Sequence, residues 1–190
     1  MFYSFPHNFL FWTKVENHED IKNHILPQIY QDEAELSKSS YEDSITSYFE
    51  KKDSTQTIIE RYFKQIIWDP LDKMLDSEGL NISVKPTDSK ISNAWYNIYR
   101  GNNNWHRTHT HPRSTFSGIY LLHLEGKNTT QFLQTGHTLF DWTKETDEIG
   151  EGNVIIFPSS LLHTVAPTTD HKVSISFNIS SSHYTLGSLT

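Results

Sequence analysis

From Gly79 onward the chain is a succession of short segments rich in β-branched and aromatic residues, set apart by Gly, Asn, Pro and Asp clusters. The segments are Asn81–Val84, Ile91–Arg100, Trp105–His109, Phe116–His123, Thr129–Leu133, Asn153–Phe157, His163–Val165 and Lys172–Ser180. Runs of this length and composition read as strands. So many short strands in one block favour an antiparallel sandwich or barrel over alternating βα units, and their number suits a jelly roll.

Upstream the pattern is helical. Ile21, Ile25, Leu26 and Ile29 recur at helical spacing between His18 and Tyr30. Residues 32–54 are polar and predict loops with a short helix. From Ser54 to Leu75 an apolar stripe (Ile58, Ile59, Tyr62, Phe63, Ile66, Ile67, Leu71, Met74) predicts an amphipathic helix, with Pro70 expected to break or kink it. The expected fold is therefore mainly β with N-terminal helices. One domain spans residues 1–190, with a helical support region over 1–79 packed outside a barrel core over 80–190.

Composition narrows the chemistry. The absence of cysteine excludes disulfides, zinc–thiolate sites, iron–sulfur clusters and thiol nucleophiles, and fits a cytoplasmic protein. Three Asn-x-Ser/Thr matches, at Asn81, Asn128 and Asn178, then read as chance. The apolar N-terminus lacks the basic flank and cleavage site of a signal peptide, and no apolar run is long enough for a membrane span. A net charge of -7 argues against nucleic acid as the main partner. Eleven histidines without cysteine point instead to a nitrogen/oxygen metal site.

Three of those histidines fall in Trp105-His-Arg-Thr-His-Thr-His-Pro-Arg113. On an extended chain His109 and His111 share a face and could hold one metal, whereas His106 falls on the opposite face. His163, opening the strand after Pro158, is the third candidate ligand. In the last long strand, Lys172, Ser174, Ser176 and Asn178 alternate with Val173, Ile175 and Phe177. On a barrel covered by helices the apolar face packs outward, and the polar face then lines an interior cavity. A lysine with serines there is an anion site suited to a carboxylate.

The stretch from Asn97 to Asn178 resembles the 2-oxoglutarate- and Fe(II)-dependent oxygenases, in particular a small branch found in bacteria and their viruses. The family pattern is a His-x-Asp/Glu pair, a distal histidine, and a basic residue about nine positions beyond it. His109-Thr-His111 resembles the pair, His163 the distal ligand, and Lys172-Val-Ser174 the Arg-x-Ser that grips the far carboxylate of 2-oxoglutarate. Tyr99, ten residues before His109, resembles a tyrosine of the co-substrate pocket. Ser117-Gly-Ile-Tyr-Leu121, Phe157-Pro-Ser and Ser176-Phe-Asn also resemble phrases of the family.

The resemblance implies a double-stranded β-helix, a cupin-like barrel, using Fe(II), 2-oxoglutarate and O2 to hydroxylate a C–H bond with release of succinate and CO2. The metal ligands would be His109, His111 and His163; the co-substrate would meet Lys172, Ser174 and Tyr99. Trp95, Trp105 and Asn178 would border the substrate, a small molecule or a peptidyl residue. A homodimer, and the cytoplasm of a bacterium or of a virus-infected host cell, fit the same picture.

Two departures stand out. His111 replaces the usual carboxylate ligand, with Asp141 or Asp147 as other sources of one. Lys172 replaces arginine and offers a point charge rather than a two-pronged contact. Two readings compete: a cupin-like three-histidine metalloenzyme without 2-oxoglutarate, and a non-catalytic binding barrel.

Overall fold

The computed structural model describes residues 9–33, 44–48, 53–77, 82–84, 88–101, 103–133, 139–140, 149–182 and 184–186. Strand β1 (Phe11–Lys14) leads into helix α1 (His18–Glu33) and the short strand β2 (Ile45–Thr46). Helix α2 (Asp53–Glu60), a π-helical turn (Lys64–Trp68) and α3 (Asp69–Leu75) follow. The strands are then β3 (Ile82–Val84), β4 (Ser89–Arg100), β5 (Asn104–His109), β6 (Phe116–Leu124), β7 (Thr130–Leu133) and β8 (Leu139–Phe140). β9 (Asn153–Pro158), β10 (Leu162–Thr168), β11 (His171–Ser181) and β12 (Tyr184–Leu186) complete the described elements.

All the described pairings are antiparallel. One sheet has the order β1-β9-β6-β11-β4-β2, the other β5-β10-β7-β8, and β12 pairs with β3 alone. Residues of both larger sheets line one cavity between them. This is the expected jelly roll.

Alternation along β11 decides which side of the large sheet faces what. Val173, Ile175, Phe177 and Ile179 are fully buried in a core shared with Ile21, Ile25 and Ile29 of α1, Ile66 and Ile67 of the π-turn, and Leu71 and Met74 of α3. Each such buried side chain contributes at most roughly 1.5–3 kcal/mol. The helices thus cover the outer face and leave Lys172, Ser174 and Ser176 on the cavity side. A smaller apolar group, with Ile119, Leu121, Phe132, Ile155 and Phe157, packs separately. Gly118 is fixed by its partner across the ladder: it pairs with Phe177, and a Cβ at 118 would lie 2.1 Å from that ring.

The eight expected strands appear with bounds shifted by one to three residues. Two helical expectations change. The 54–75 stripe is not one helix kinked at Pro70: α2 ends at Glu60, before the π-turn. Pro70 sits in the first turn of α3, where its missing N–H leaves no bond unmade. The N-terminal third also contributes strands. β1 pairs with β9 and β2 with β4, so that they form the two edges of the large sheet; both are short pieces ordered by docking on a sheet rather than by their own periodicity.

Candidate metal centre

β5 and β10 are neighbours in the small sheet, and their register sets His109 directly opposite His163. The two rings lie 4.2 Å apart between centroids. His111 follows in the loop after β5, where its backbone N–H donates to Ser159 O at 2.9 Å. That tether stacks the His111 ring near-parallel to His163, 5.0 Å away, with the two Nε2 atoms 3.1 Å apart. One ring nitrogen from each of the three histidines falls within 4.8 Å of the others.

The tautomers suit a cation. Nδ1 of His163 donates to Leu161 O at 3.0 Å, and Nδ1 of His109 donates to Arg107 O at 2.8 Å. Each ring therefore carries its proton on Nδ1 and leaves Nε2 as a lone pair, the orientation that backbone carbonyls impose on metal-ligating histidines. The lone pair of His163 Nε2 faces His111 Nε2 at a distance that demands a proton or a cation between them. Burial, then the neighbouring His109, hold the His163 imidazole well below the usual histidine range, and the same causes with His106 push His111 down to about 4. The His111 and His163 rings are thus neutral at physiological pH, the form in which an imidazole can ligate a metal. Three imidazole nitrogens are a donor set that Fe(II) accepts.

Across the cavity stands Lys172, 2% exposed. Its Nζ donates to Thr130 Oγ1 at 2.8 Å and to Asn128 Oδ1 at 3.1 Å, and lies 5.4 Å from the centre of the Tyr99 ring. Tyr99 is its direct partner across the β4–β11 ladder, and Asn97 is the partner of Ser174. Burial alone pushes the ammonium down to about 7. The cavity, about 350 Å³ with its open mouth, is lined by His109, His111 and His163 together with Tyr99, Lys172 and Ser174. Asn97 Nδ2 donates to Ser176 Oγ at 3.2 Å, while its buried Oδ1 has no protein partner.

Other expectations fare differently. His106, expected on the opposite face, lines the cavity and lies 4.4 Å from the His109 ring. The ladder explains it. His163 pairs with His109 but Val165 pairs with His106, so a bulge adds one residue to β5 and swings His106 inward. Trp95 lines the cavity 5.6 Å from His111. Trp105 is exposed, and Asn178 accepts from Ser117 Oγ at 2.8 Å, so neither forms the cavity wall. Asp141 and Asp147 lie outside the described residues. Asn128 and Thr130 escaped notice because they become neighbours of Lys172 only through the fold.

Residues 93–178 match the sequence model of a family described as "Putative 2OG-Fe(II) oxygenase". No curated protein matches by sequence. Solved structures with this fold include a prolyl-4-hydroxylase from Pseudomonas putida, at 11% identity and a TM-score of 0.60 over 93% of this chain and 94% of that one. A prolyl hydroxylase from Trichoplax adhaerens, in complex with a hypoxia inducible factor peptide fragment, aligns at 10% identity with a TM-score of 0.64, over 90% of this chain and 83% of that one. The viral collagen prolyl hydroxylase of Paramecium Bursaria Chlorella virus-1 aligns at 13% identity with a TM-score of 0.52, over 88% and 94%. At these identities the likeness is one of fold. The matched segment carries all three clustered histidines and Lys172, and over it the chain is similar to the 2-oxoglutarate- and Fe(II)-dependent oxygenases, a family whose chemistry uses Fe(II), 2-oxoglutarate and O2.

Proposed function

We propose that the chain hydroxylates a C–H bond, with Fe(II) on His109, His111 and His163 and 2-oxoglutarate bound toward Lys172. The observation that carries this reading is the shared cavity: three clustered imidazoles on one side and a buried lysine on the other. Among the described residues the Lys172 ammonium is held by neutral oxygens; burying it so is costly, and a carboxylate supplies the missing charge. A cupin-like enzyme that uses no oxo acid gives no reason to bury that lysine.

When bound, the iron supplies redox chemistry and coordination positions for the oxo acid and O2. The protein does the rest. Nδ1 donation to Arg107 and Leu161 carbonyls holds two rings in the ligating tautomer. Lys172, backed by Thr130 and Asn128, orients the far carboxylate, with Ser174 and Tyr99 beside it. Phe157 and Phe132 pack on His163 and keep water from that side. In balance, one O2 and one 2-oxoglutarate give succinate, CO2 and one hydroxyl on the substrate carbon.

Peptide-bound proline is the first substrate class to test, because prolyl hydroxylases share this fold; a free small molecule is the alternative. No described helix is long and apolar enough to cross a membrane, and the lack of cysteine fits our assignment to the cytoplasm. Panels of prolyl peptides and free amino acids, read by substrate-dependent succinate release and a 16 Da mass gain (one oxygen atom), test the class. Gain on free amino acids alone would overturn the peptidyl assignment.

A further inference from the structure

A second group of ligating side chains lies on the opposite, helix-covered face of the large sheet. His123 near the end of β6 pairs with Val173 across the ladder and shares its outward side, while Lys172 points into the cavity. Glu125 follows β6, and its backbone N–H donates to His171 O at 2.8 Å. That bond brings the start of β11 alongside. Glu125 Oε1 then lies 3.8 Å from His123 Nε2 and 3.9 Å from His171 Nδ1, and the three ligand atoms fall within 4.8 Å of one another.

We propose that His123, Glu125 and His171 bind a divalent zinc ion, separate from the iron centre. A tetrahedral zinc site with bonds of about 2.0–2.1 Å has ligand–ligand edges near 3.3 Å, so each histidine must move toward Glu125 by about half an ångström, with the histidine–histidine edge closing from within 4.8 Å. Two imidazoles and one carboxylate leave the fourth position for water.

The outer partners point the same way. Nδ1 of His123 lies 3.1 Å from Glu151 Oε2, which turns Nε2 toward Glu125. The other edge of His171, its Nε2, faces the Tyr30 hydroxyl at 3.5 Å, and the two rings stack. A histidine whose far nitrogen is held by a carboxylate or hydroxyl is the usual surrounding of a zinc ligand. Arg100, over the Tyr30 ring, is the nearby cation, and Glu33 neutralises it in a two-pronged ion pair. The adjacent His18, Glu19 and Glu151 are less suited: Glu151 is spent on Lys22 and His18, and His18 Nδ1 on Tyr120. Zinc here would clasp the end of β6 to β11 and, through Tyr30, to α1.

The test counts zinc. Metal-free full-length protein is titrated with zinc against a chromophoric chelator, alongside His163→Ala, Glu125→Gln and His171→Ala. Wild type should bind two equivalents, and Glu125→Gln and His171→Ala one each. His163→Ala loses the other equivalent, so failure of the iron-site assignment shows separately. Glu125 is exposed, so its replacement by Gln should leave the fold intact. Zinc should also raise the Tm of His163→Ala, and adding Glu125→Gln should abolish that rise. If Glu125→Gln and His171→Ala keep the wild-type count and affinity, the site is refuted.

Discussion

Lys172 on β11 of the large sheet donates to Thr130 on β7 of the small sheet at 2.8 Å, bridging the two faces of the barrel behind the cavity. The contact does two things. It fixes the depth of the ammonium relative to the three histidines, and among the described residues it gives the charge only neutral oxygen partners.

The first prediction concerns pH. Burial holds the empty-site lysine at about 7, against an ordinary 10.5. A bound carboxylate favours the charged form, so above pH 7 binding must take up a proton. Affinity for 2-oxoglutarate should therefore fall about tenfold per pH unit above about pH 7 and be flat below it. Empty-protein stability runs the other way. The unfolded chain keeps this proton up to the ordinary lysine value while the folded chain releases it near 7, so stability rises with pH between the two. Lys172→Met should remove both dependences. Calorimetric titration over about pH 6–9 checks this, and a pH-independent affinity in wild type contradicts it.

Thr130→Val deletes one neutral hydrogen bond to the ammonium at nearly constant volume. Its expected cost is about 1–1.5 kcal/mol of co-substrate binding, roughly a tenfold rise in KM for 2-oxoglutarate, with Fe(II) binding unchanged. An unaltered KM would mean that Lys172 needs no help from β7.

His106 lines the cavity without joining the group of three. His106→Ala should retain one equivalent of Fe(II), while His109→Ala and His163→Ala should each weaken iron binding by at least about a hundredfold. Metal content after anaerobic loading and desalting decides. Loss of iron from His106→Ala would put that residue among the ligands.

Gly118→Ala places a methyl group against the Phe177 ring. The expected destabilisation is roughly 1–3 kcal/mol, since overpacking forces that ring or the β6–β11 ladder to shift. Urea denaturation measures it, and stability equal to wild type would show that the ring moves freely.

The barrel was legible from sequence because each strand carries its own alternation and bounding turn residues. β11 declared both faces: Val173, Ile175 and Phe177 outward, Lys172, Ser174 and Ser176 inward. His109 and His111 followed from spacing alone. His106 did not, because a bulge is a relation between β5 and β10 that neither strand states by itself. Asn128 stayed hidden for the same reason: read alone it is a chance Asn-x-Thr, and only the sheet packing brings its Oδ1 to Lys172. The short strands β1 and β2 exist because a sheet edge was open to receive them.

The most direct test of the central claim is co-substrate turnover without a substrate. Protein loaded anaerobically with Fe(II) and 2-oxoglutarate should develop a weak visible charge-transfer band, and on admission of air it should slowly form succinate. His163→Ala should do neither. Iron bound to the three histidines with neither band nor succinate would contradict the account.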